Sequence, residues 1–185
     1  MAIIIAFAGL IFSPATSSGA PPHVLSKYGD LVDPAGSPRS AEHAGVDLGA
    51  TPGDPVLAAA DGVVQVIFPD AEWCPNGIRL WHDEFNRFTH YCHLSDVKVR
   101  KYDRVTRGQV MGTLRSWRDR RGVPSKVAVL HFEVTDYARF RGEGSLAGTF
   151  DPMPLIVGCF DSATTYPKDR FVLTYPVLCR DTVPN

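Results

Sequence analysis

Two histidines and one aspartate have the types and spacing that suggest metal chemistry. In HAGVDLGA, His43 and Asp47 lie four residues apart, and in the strand-like segment KVAVLHFEV, His131 interrupts an alternating apolar run. Neutral imidazole and carboxylate oxygen each bind Zn²⁺ at about 2.0 to 2.2 Å, and a catalytic zinc keeps three protein ligands and one open position. His43, Asp47 and His131 would supply such a set. A lone histidine in a strand is more often a core or surface group, so spacing alone leaves that alternative open.

The segment THYCHLS adds two more histidines on a second strand. Because side chains alternate with period two, we expect Tyr91 and His93 on one face of this strand and His90 on the other. His90 would therefore need a β-bulge to reach the side of His93. The same rule places Glu133 on the strand face of His131. There it would either orient a metal ligand or lie at the strand end as a partly solvated carboxylate.

Short strands are the elements that must position these residues. Apolar and β-branched runs such as PVLAAADGVVQVIF, RFTHYCHL and RGQVMGTL are separated by glycine, proline and aspartate at close intervals. No segment keeps a 3.6-residue apolar period over a dozen positions. The DG pair at Asp61 and the PNG at residues 75–77 provide turn chemistry. The pattern predicts an all-β domain with a small antiparallel β-sheet core.

Composition limits the size and the partners of the protein. A chain of 185 residues, 44% hydrophobic and 21% charged, is long enough for one globular domain with a small appendage. The formal net charge of -1 gives no field that would gather nucleic acid or an anionic membrane, so we expect neither as a partner. The basic run RDRR at residues 118–121 is too short to change this and is interpreted as a solvated loop.

The amino-terminal segment differs in kind from the rest of the chain. The apolar run AIIIAFAGLIF is followed by the small, polar and proline-rich SPATSSGAPP. This is the order of the hydrophobic region and cleavage segment of an export signal, although no Lys or Arg precedes it. The run is too short to span a bilayer comfortably. We predict an export segment over residues 1–22, no stable membrane span, and a periplasmic or extracellular location.

Four cysteines, an even number in a chain predicted to be exported, indicate two disulfides. Proximity in sequence favours Cys74 with Cys92 and Cys159 with Cys179, but three pairings are possible and spacing alone does not choose among them. None of these cysteines lies in a C-x-x-C pair, so a zinc site on thiols is not expected. After about residue 156 the strand pattern loosens. Residues 157–185 are therefore predicted to form a short irregular C-terminal appendage that the second pair would staple to the domain.

Several motifs, in one order, resemble a known peptidase family. The segments HAGVDLGATPGDPVLAAADGVV, FTHYCHLS, VTRGQVMGTL, LHFEV and DPMPLI are together similar to the catalytic domain of the M23 (lysostaphin/LytM-type) zinc metallopeptidases. The similarity covers roughly residues 25–156. It implies a sandwich-like antiparallel β-sheet domain with zinc in a groove. It also implies an exported endopeptidase that hydrolyses peptide bonds in bacterial peptidoglycan.

The resemblance implies roles for individual residues. The H-x-x-x-D motif of the family falls on His43 and Asp47, and the second histidine of its H-x-H motif falls on His131, so these three are the expected zinc ligands. A histidine before Leu-Ser in the middle strand belongs to the catalytic site of the family, and that position is His93. His82, in LWHDEFN, falls on a surface hairpin of the family and is expected to be structural.

The first histidine of H-x-H, a catalytic residue in active members, corresponds to Val129. An isopropyl group cannot accept a proton or steady an oxyanion, and such contributions are typically worth about 10² to 10⁴ in rate. Lys126 or Ser125 would replace the missing imidazole only if the loop before the strand folded over the groove. Two functions follow from these residues. One is a zinc endopeptidase of lowered activity with His93 as its catalytic imidazole. The other is a catalytically degenerate module that binds cell wall or regulates another hydrolase.

Overall fold

The computed structural model describes residues 19–69, 74, 76–116, 125–136 and 146–180. Most of the predicted export segment and the RDRR run lie outside these residues. Within them, single 3₁₀ turns cover Asp83–Phe85 and Met153–Leu155. The strands, in chain order, are β1 (Val24–Ser26), β2 (Val46–Ala50), β3 (Pro55–Leu57), β4 (Gly62–Ile67), β5 (Ile78–His82), β6 (Arg87–Cys92), β7 (Leu94–Val97), β8 (Arg104–Val105), β9 (Val110–Leu114), β10 (Ala128–Thr135) and β11 (Thr149–Phe150).

Two antiparallel sheets contain these strands. The larger sheet has the order β1-β2-β10-β6-β5-β4-β8, with β11 also paired to β10, and the smaller has the order β3-β9-β7. The all-β, antiparallel fold predicted from the sequence is confirmed. In the described part of the chain, no helix has the length and apolar character needed to cross a membrane.

Side chains along β10 alternate between a face that packs in the core and an opposite face, called the site face below, that carries His131. Leu130 and Phe132 are fully buried, and Phe132 lies opposite Tyr91 of β6 with ring centroids 5.2 Å apart. Burying a large apolar side chain contributes about 1.5 to 3 kcal/mol. A register slip of one residue would expose both side chains and turn His131 into the core, so apolar packing fixes the face on which His131 lies.

Between β6 and β7 the chain passes from the larger sheet to the smaller one through a single residue. Strand β6 ends at Cys92 and β7 begins at Leu94, so His93 is the only link between them. The backbone of His93 has a φ of 73°, in the left-handed region that residues with a side chain rarely adopt. Its carbonyl accepts a hydrogen bond from the Arg115 N–H at 3.0 Å.

Because of this left-handed backbone, the side-chain alternation predicted for the segment THYCHLS does not continue through His93. Tyr91 points into the core, where its hydroxyl accepts a hydrogen bond from the Ala59 N–H at 3.0 Å. The His93 ring instead lies beside His131 on the site face, with 6.4 Å between ring centroids. The prediction that Tyr91 and His93 share a strand face is therefore wrong, because regular strand geometry stops one residue before His93.

Both disulfides favoured by sequence proximity are present, Cys74 with Cys92 and Cys159 with Cys179. The first ties the segment before β5 to the last residue of β6. A Cβ added to Gly77 would clash with the sulfur of Cys74, so the chain needs glycine there to pass close to the disulfide.

The described part of the tail, residues 157–180, is irregular but packs on the sheets. Leu173 and Val177 are fully buried, and the Leu57 N–H of β3 donates to the Pro176 carbonyl at 2.8 Å. The tail therefore adds apolar contacts to the core at the side of β3.

Candidate metal and catalytic centre

Three donor atoms converge where β2 and β10 lie side by side. His43 lies just before β2, Asp47 lies within it, and His131 of β10 is the register partner of Asp47. His43 Nε2 is 2.9 Å from His131 Nδ1 and 3.2 Å from Asp47 Oδ1, and the third side of the triangle, between His131 Nδ1 and Asp47 Oδ1, is 3.1 Å. His43 and Asp47 are almost fully buried, and His131 is partly exposed. The structure thus brings together the three residues expected to bind zinc.

The second ring nitrogen of His43 determines which atom is available to a metal. Nδ1 lies 2.9 Å from the Lys27 carbonyl and 3.3 Å from the Ser26 hydroxyl. A carbonyl oxygen can only accept, so Nδ1 carries the proton and donates it, and Nε2 presents a lone pair to the other two donor atoms. Such a hydrogen bond behind a histidine is the usual way to fix a metal-binding tautomer.

Hydrogen bonds cannot satisfy all three contacts of this triangle. With His43 Nε2 unprotonated and Asp47 ionised, at most one proton, on His131 Nδ1, is available for them. A tetrahedral zinc with bonds of about 2.0 to 2.2 Å separates its ligand atoms by about 3.3 to 3.6 Å. The observed separations of 2.9 to 3.2 Å need only a small outward movement to reach these values. The donor set therefore fits Zn²⁺.

Asp47 is held as a buried carboxylate. Burial alone would raise the pKa of Asp47, but its polar contacts with the His131 and His43 rings outweigh burial and hold that pKa well below its usual range. The second carboxylate oxygen, Oδ2, accepts a hydrogen bond from the Arg39 guanidinium at 2.9 Å. Sequence reasoning missed Arg39. Its only signal was its position four residues before His43, in a segment whose prolines and serines indicate a loop.

His93 lies beside the three donors as a neutral ring. Burial lowers the pKa of His93 to about 4, and the nearby His131 and the charge of Arg115 act in the same direction, while Asp47 opposes them. At pH 7 the ring therefore has one nitrogen that can accept a proton and one N–H that can donate. A neutral ring of this kind suits a group that orients water, accepts its proton and then stabilises a developing negative charge through the nitrogen that received it.

An aliphatic side chain lies at the position where the family resemblance implied a histidine in active members. Val129 is half-buried, shares the face of His131 by alternation, and pairs with Gly49 across the sheet. Neither loop residue considered as a replacement is engaged with the donors. Lys126 is exposed, and the Ser125 hydroxyl donates to the Val127 carbonyl at 2.8 Å.

His90 lies on the face that sequence reasoning did not predict. It pairs directly with Glu133, two residues from His131 on the same face of β10, so it needs no bulge to reach the site side. It remains apart from the donors, because its Nε2 lies 3.0 Å from the Thr135 hydroxyl and its ring stacks on Phe68. Glu133 is only 5% exposed. The solvated alternative for this carboxylate is wrong, since β10 continues beyond it.

His82 is a core residue rather than part of an exposed hairpin. Its Nδ1 lies 2.6 Å from the Asp61 carbonyl and its Nε2 lies 2.8 Å from the Thr89 hydroxyl. Burial lowers the pKa of His82 to about 4. Two satisfied ring nitrogens away from the donor triangle agree with the expected structural role.

The fold and the site define an all-β domain with a candidate metal centre on its larger sheet, where β2 and β10 pair. Residues 41–142, more than half of the chain, match the model of peptidase family M23, and the protein belongs to this family. The matched range contains all three donors, His93 and Val129.

Similar proteins include enzymes and solved domains of the same kind. The peptidoglycan DD-endopeptidase ShyA of Vibrio cholerae is 36% identical over 74 residues, which are 40% of this chain and 17% of ShyA. The catalytic domain of the antimicrobial peptidase lysostaphin from Staphylococcus simulans superimposes with a TM-score of 0.54 at 26% identity, over 72% of this chain and 90% of that domain. A mutant catalytic domain of the prophage-encoded M23 protein EnpA from Enterococcus faecalis has a TM-score of 0.53 at 22% identity, over 76% of this chain and 95% of that domain. The last comparison concerns the fold alone.

Proposed function

We propose that this protein is an exported zinc endopeptidase that hydrolyses peptide bonds in bacterial peptidoglycan. The observation that carries the proposal is the convergence of His43, Asp47 and His131 within a triangle of 2.9 to 3.2 Å. Membership of family M23 supports a peptide hydrolase. ShyA, named as a peptidoglycan DD-endopeptidase, supports the substrate class.

Each residue of the site has a separate task in this proposal. His43, Asp47 and His131 would hold Zn²⁺, which when bound polarises a scissile carbonyl and lowers the pKa of water toward about 7. His93, neutral at pH 7, would accept a hydrogen bond from the attacking water through its unprotonated nitrogen. After taking up the proton of that water, the same nitrogen would donate it in a hydrogen bond to the oxyanion that develops on the substrate carbonyl. Val129 offers no second imidazole, so turnover should be slow for this kind of site.

A second function is favoured by Val129 itself. A module that keeps the fold but has lost catalysis would bind cell wall or regulate another hydrolase, and an aliphatic residue at a catalytic position fits that role. The intact donor triangle argues for the enzyme, because wall binding alone has no evident need for three converging metal ligands.

Metal analysis and wall digestion separate these two functions. Purified protein is analysed for bound zinc and incubated with peptidoglycan, and release of soluble fragments is measured with and without a chelator. The peptidase predicts chelator-sensitive release that falls by about 10²- to 10⁴-fold in His93→Ala. His23→Ala is the matched control, since His23 is an exposed histidine outside the site. Bound zinc without any release would identify the module.

The variant Val129→His tests whether the absent imidazole limits turnover. We expect fragment release to rise by about 100-fold, the usual contribution of one positioned acid or base. Unchanged release, with zinc content equal to that of the unmodified protein, would show that position 129 does not control the reaction.

The proposal also includes the organisation of the chain. Residues 1–22 would serve export, 25–156 would form the peptidase domain, and 157–185 would form the stapled appendage. Two disulfides support folding in an oxidising compartment, such as the periplasm or the cell exterior. Peptidoglycan peptides lie in the same compartment.

A further inference from the structure

We propose that Arg39 is a positioning residue of the metal centre and acts through Asp47. The proposal rests on the zinc site described above and adds to it a residue outside the three donors. Arg39 touches neither His43 Nε2 nor His131 Nδ1, and its guanidinium binds the carboxylate oxygen of Asp47 that faces away from the two histidines.

The two oxygens of the Asp47 carboxylate have different partners. Oδ1 lies 3.1 to 3.2 Å from the two histidine nitrogens, whereas Oδ2 accepts the guanidinium N–H at 2.9 Å. An Asp carboxylate can rotate about its terminal bond and can bind a metal through one oxygen or two. With Oδ2 engaged, the carboxylate is held in the orientation that offers the metal a single oxygen.

The loop formed by residues 27–43 holds Arg39 in this position. The Arg39 N–H donates to the Leu31 carbonyl at 2.8 Å, and its Nε donates to the Val32 carbonyl at 3.4 Å. The turn of this loop is tied by Asp33, whose carboxylate accepts the Ser37 N–H at 2.7 Å. The guanidinium is thus anchored at its backbone and along its side chain before it reaches Asp47.

Ser26, the last residue of β1, joins Arg39 to the histidine that follows it. The Ser26 hydroxyl lies 3.3 Å from the Arg39 guanidinium and 3.3 Å from His43 Nδ1. Ser26 is 3% exposed, so the hydroxyl that links Arg39 to His43 is shielded from water. Such networks behind metal ligands fix ligand orientation, and their removal typically lowers metal affinity by about 10- to 100-fold.

The positive charge of Arg39 would also repel a bound zinc ion, which opposes the benefit of orienting Asp47. Coulomb repulsion from the guanidinium would weaken zinc binding, so loss of the charge alone would strengthen it. The negative charge of Asp47, in direct contact with the guanidinium, offsets much of this repulsion, whereas loss of the hydrogen bond would free the buried carboxylate to rotate. We therefore expect orientation to outweigh repulsion.

Two variants distinguish these effects when zinc affinity is measured by competition with a chromogenic chelator. Arg39→Met keeps an unbranched side-chain stem but removes the charge and the donors, and we expect zinc affinity to fall by about 10- to 100-fold. Arg39→Lys keeps the charge and one donor, and we expect partial recovery. Higher affinity in Arg39→Met would mean that the residue acts only by repulsion, and unchanged affinity would mean that it is structural. Either result overturns the proposal.

A double-mutant cycle tests whether the effect passes through Asp47. In an Asp47→Ala background, Arg39→Met should lower zinc affinity no further. Arg180→Met is the matched control, because Arg180 also pairs with a carboxylate, Asp54, at 2.7 Å and takes no part in the donor triangle. Zinc affinity in that variant should equal that of the unmodified protein.

Measuring zinc affinity tests the role of Arg39 independently of the proposed peptidase activity. Zinc affinity requires no turnover, so an inactive protein that binds zinc still reports on Arg39. A protein that binds no zinc at all refutes the metal site. A full-strength zinc site in Arg39→Met refutes only the role of Arg39.

Discussion

Removal of one disulfide should impair catalysis, whereas removal of the other should only lower stability. The disulfide of Cys74 and Cys92 ends at the residue before His93, and that of Cys159 and Cys179 lies in the tail. Sequence separations of 18 and 20 residues predict nearly equal loop-closure contributions of about 3 kcal/mol each. The two double alanine variants therefore form a matched pair with similar losses of global stability.

The expected difference in activity follows from the backbone of His93. A left-handed φ in a residue with a side chain costs about 1 to 3 kcal/mol and persists only where its surroundings impose it. With Cys92 released from Cys74, His93 can relax toward extended geometry, which alternation would direct to the core side. His131 should hold its place, because β10 is paired with β2 on one side and β6 on the other.

The assay compares the double variants Cys74→Ala/Cys92→Ala and Cys159→Ala/Cys179→Ala with the unmodified protein. Urea unfolding gives stability, chelator competition gives zinc affinity, and fragment release from peptidoglycan gives kcat and KM at a temperature where all three are folded. We expect kcat to fall by about tenfold or more in the first variant only, with KM and zinc affinity little changed. Equal kcat in both variants would refute the view that this disulfide positions His93.

Two further predictions concern stability. The pKa of His82 is about 4 in the folded protein and about 6.5 when unfolded. Between these values the unfolded state binds more protons, so the free energy of unfolding should decrease as pH falls, by at most about 3 kcal/mol. His82→Gln should flatten that slope in urea unfolding between pH 7 and pH 4.5, and an unchanged slope would assign it to other groups. Arg107, whose guanidinium donates to the Val172 carbonyl at 2.8 Å, should anchor the tail. Arg107→Met should destabilise residues 157–180 by about 1.5 to 3 kcal/mol, seen as faster amide exchange there, and protection equal to that of the unmodified protein would contradict this role.

The strands could be predicted from short-range pattern, whereas the donor triangle also needed the resemblance to the peptidase family, because spacing alone left His131 open as a core or surface residue. Alternation of apolar residues placed His131 on one face of β10, and the spacing of His43 and Asp47 needed only a turn into β2. Register then brings Asp47 opposite His131. The pairing of the cysteines was also accessible, since the shorter loops lose less entropy on closure.

The residues that sequence reasoning misplaced all depend on geometry outside regular strands. The face of His93 depends on one φ value at a junction between sheets, and nothing in the letters THYCHLS marks where β6 stops. His90 was misplaced for the same reason, because the alternation was counted from His93 instead of from the last strand residue. Arg39 was missed because its contact with Asp47 depends on the closure of a loop whose hydrogen bonds involve mostly backbone groups.

The site therefore combines two kinds of support with different sensitivity to mutation. His131 and Asp47 lie in strands that are paired on both sides, so distant substitutions should move them little. His93 and Arg39 depend on a sheet junction and a loop, where fewer contacts resist displacement. A metal centre held by the sheet can then persist in variants whose catalytic and orienting groups have moved. We therefore expect some substitutions to lower turnover while leaving zinc affinity unchanged. Substitutions of Val129, which is not one of the three donors, should belong to this group.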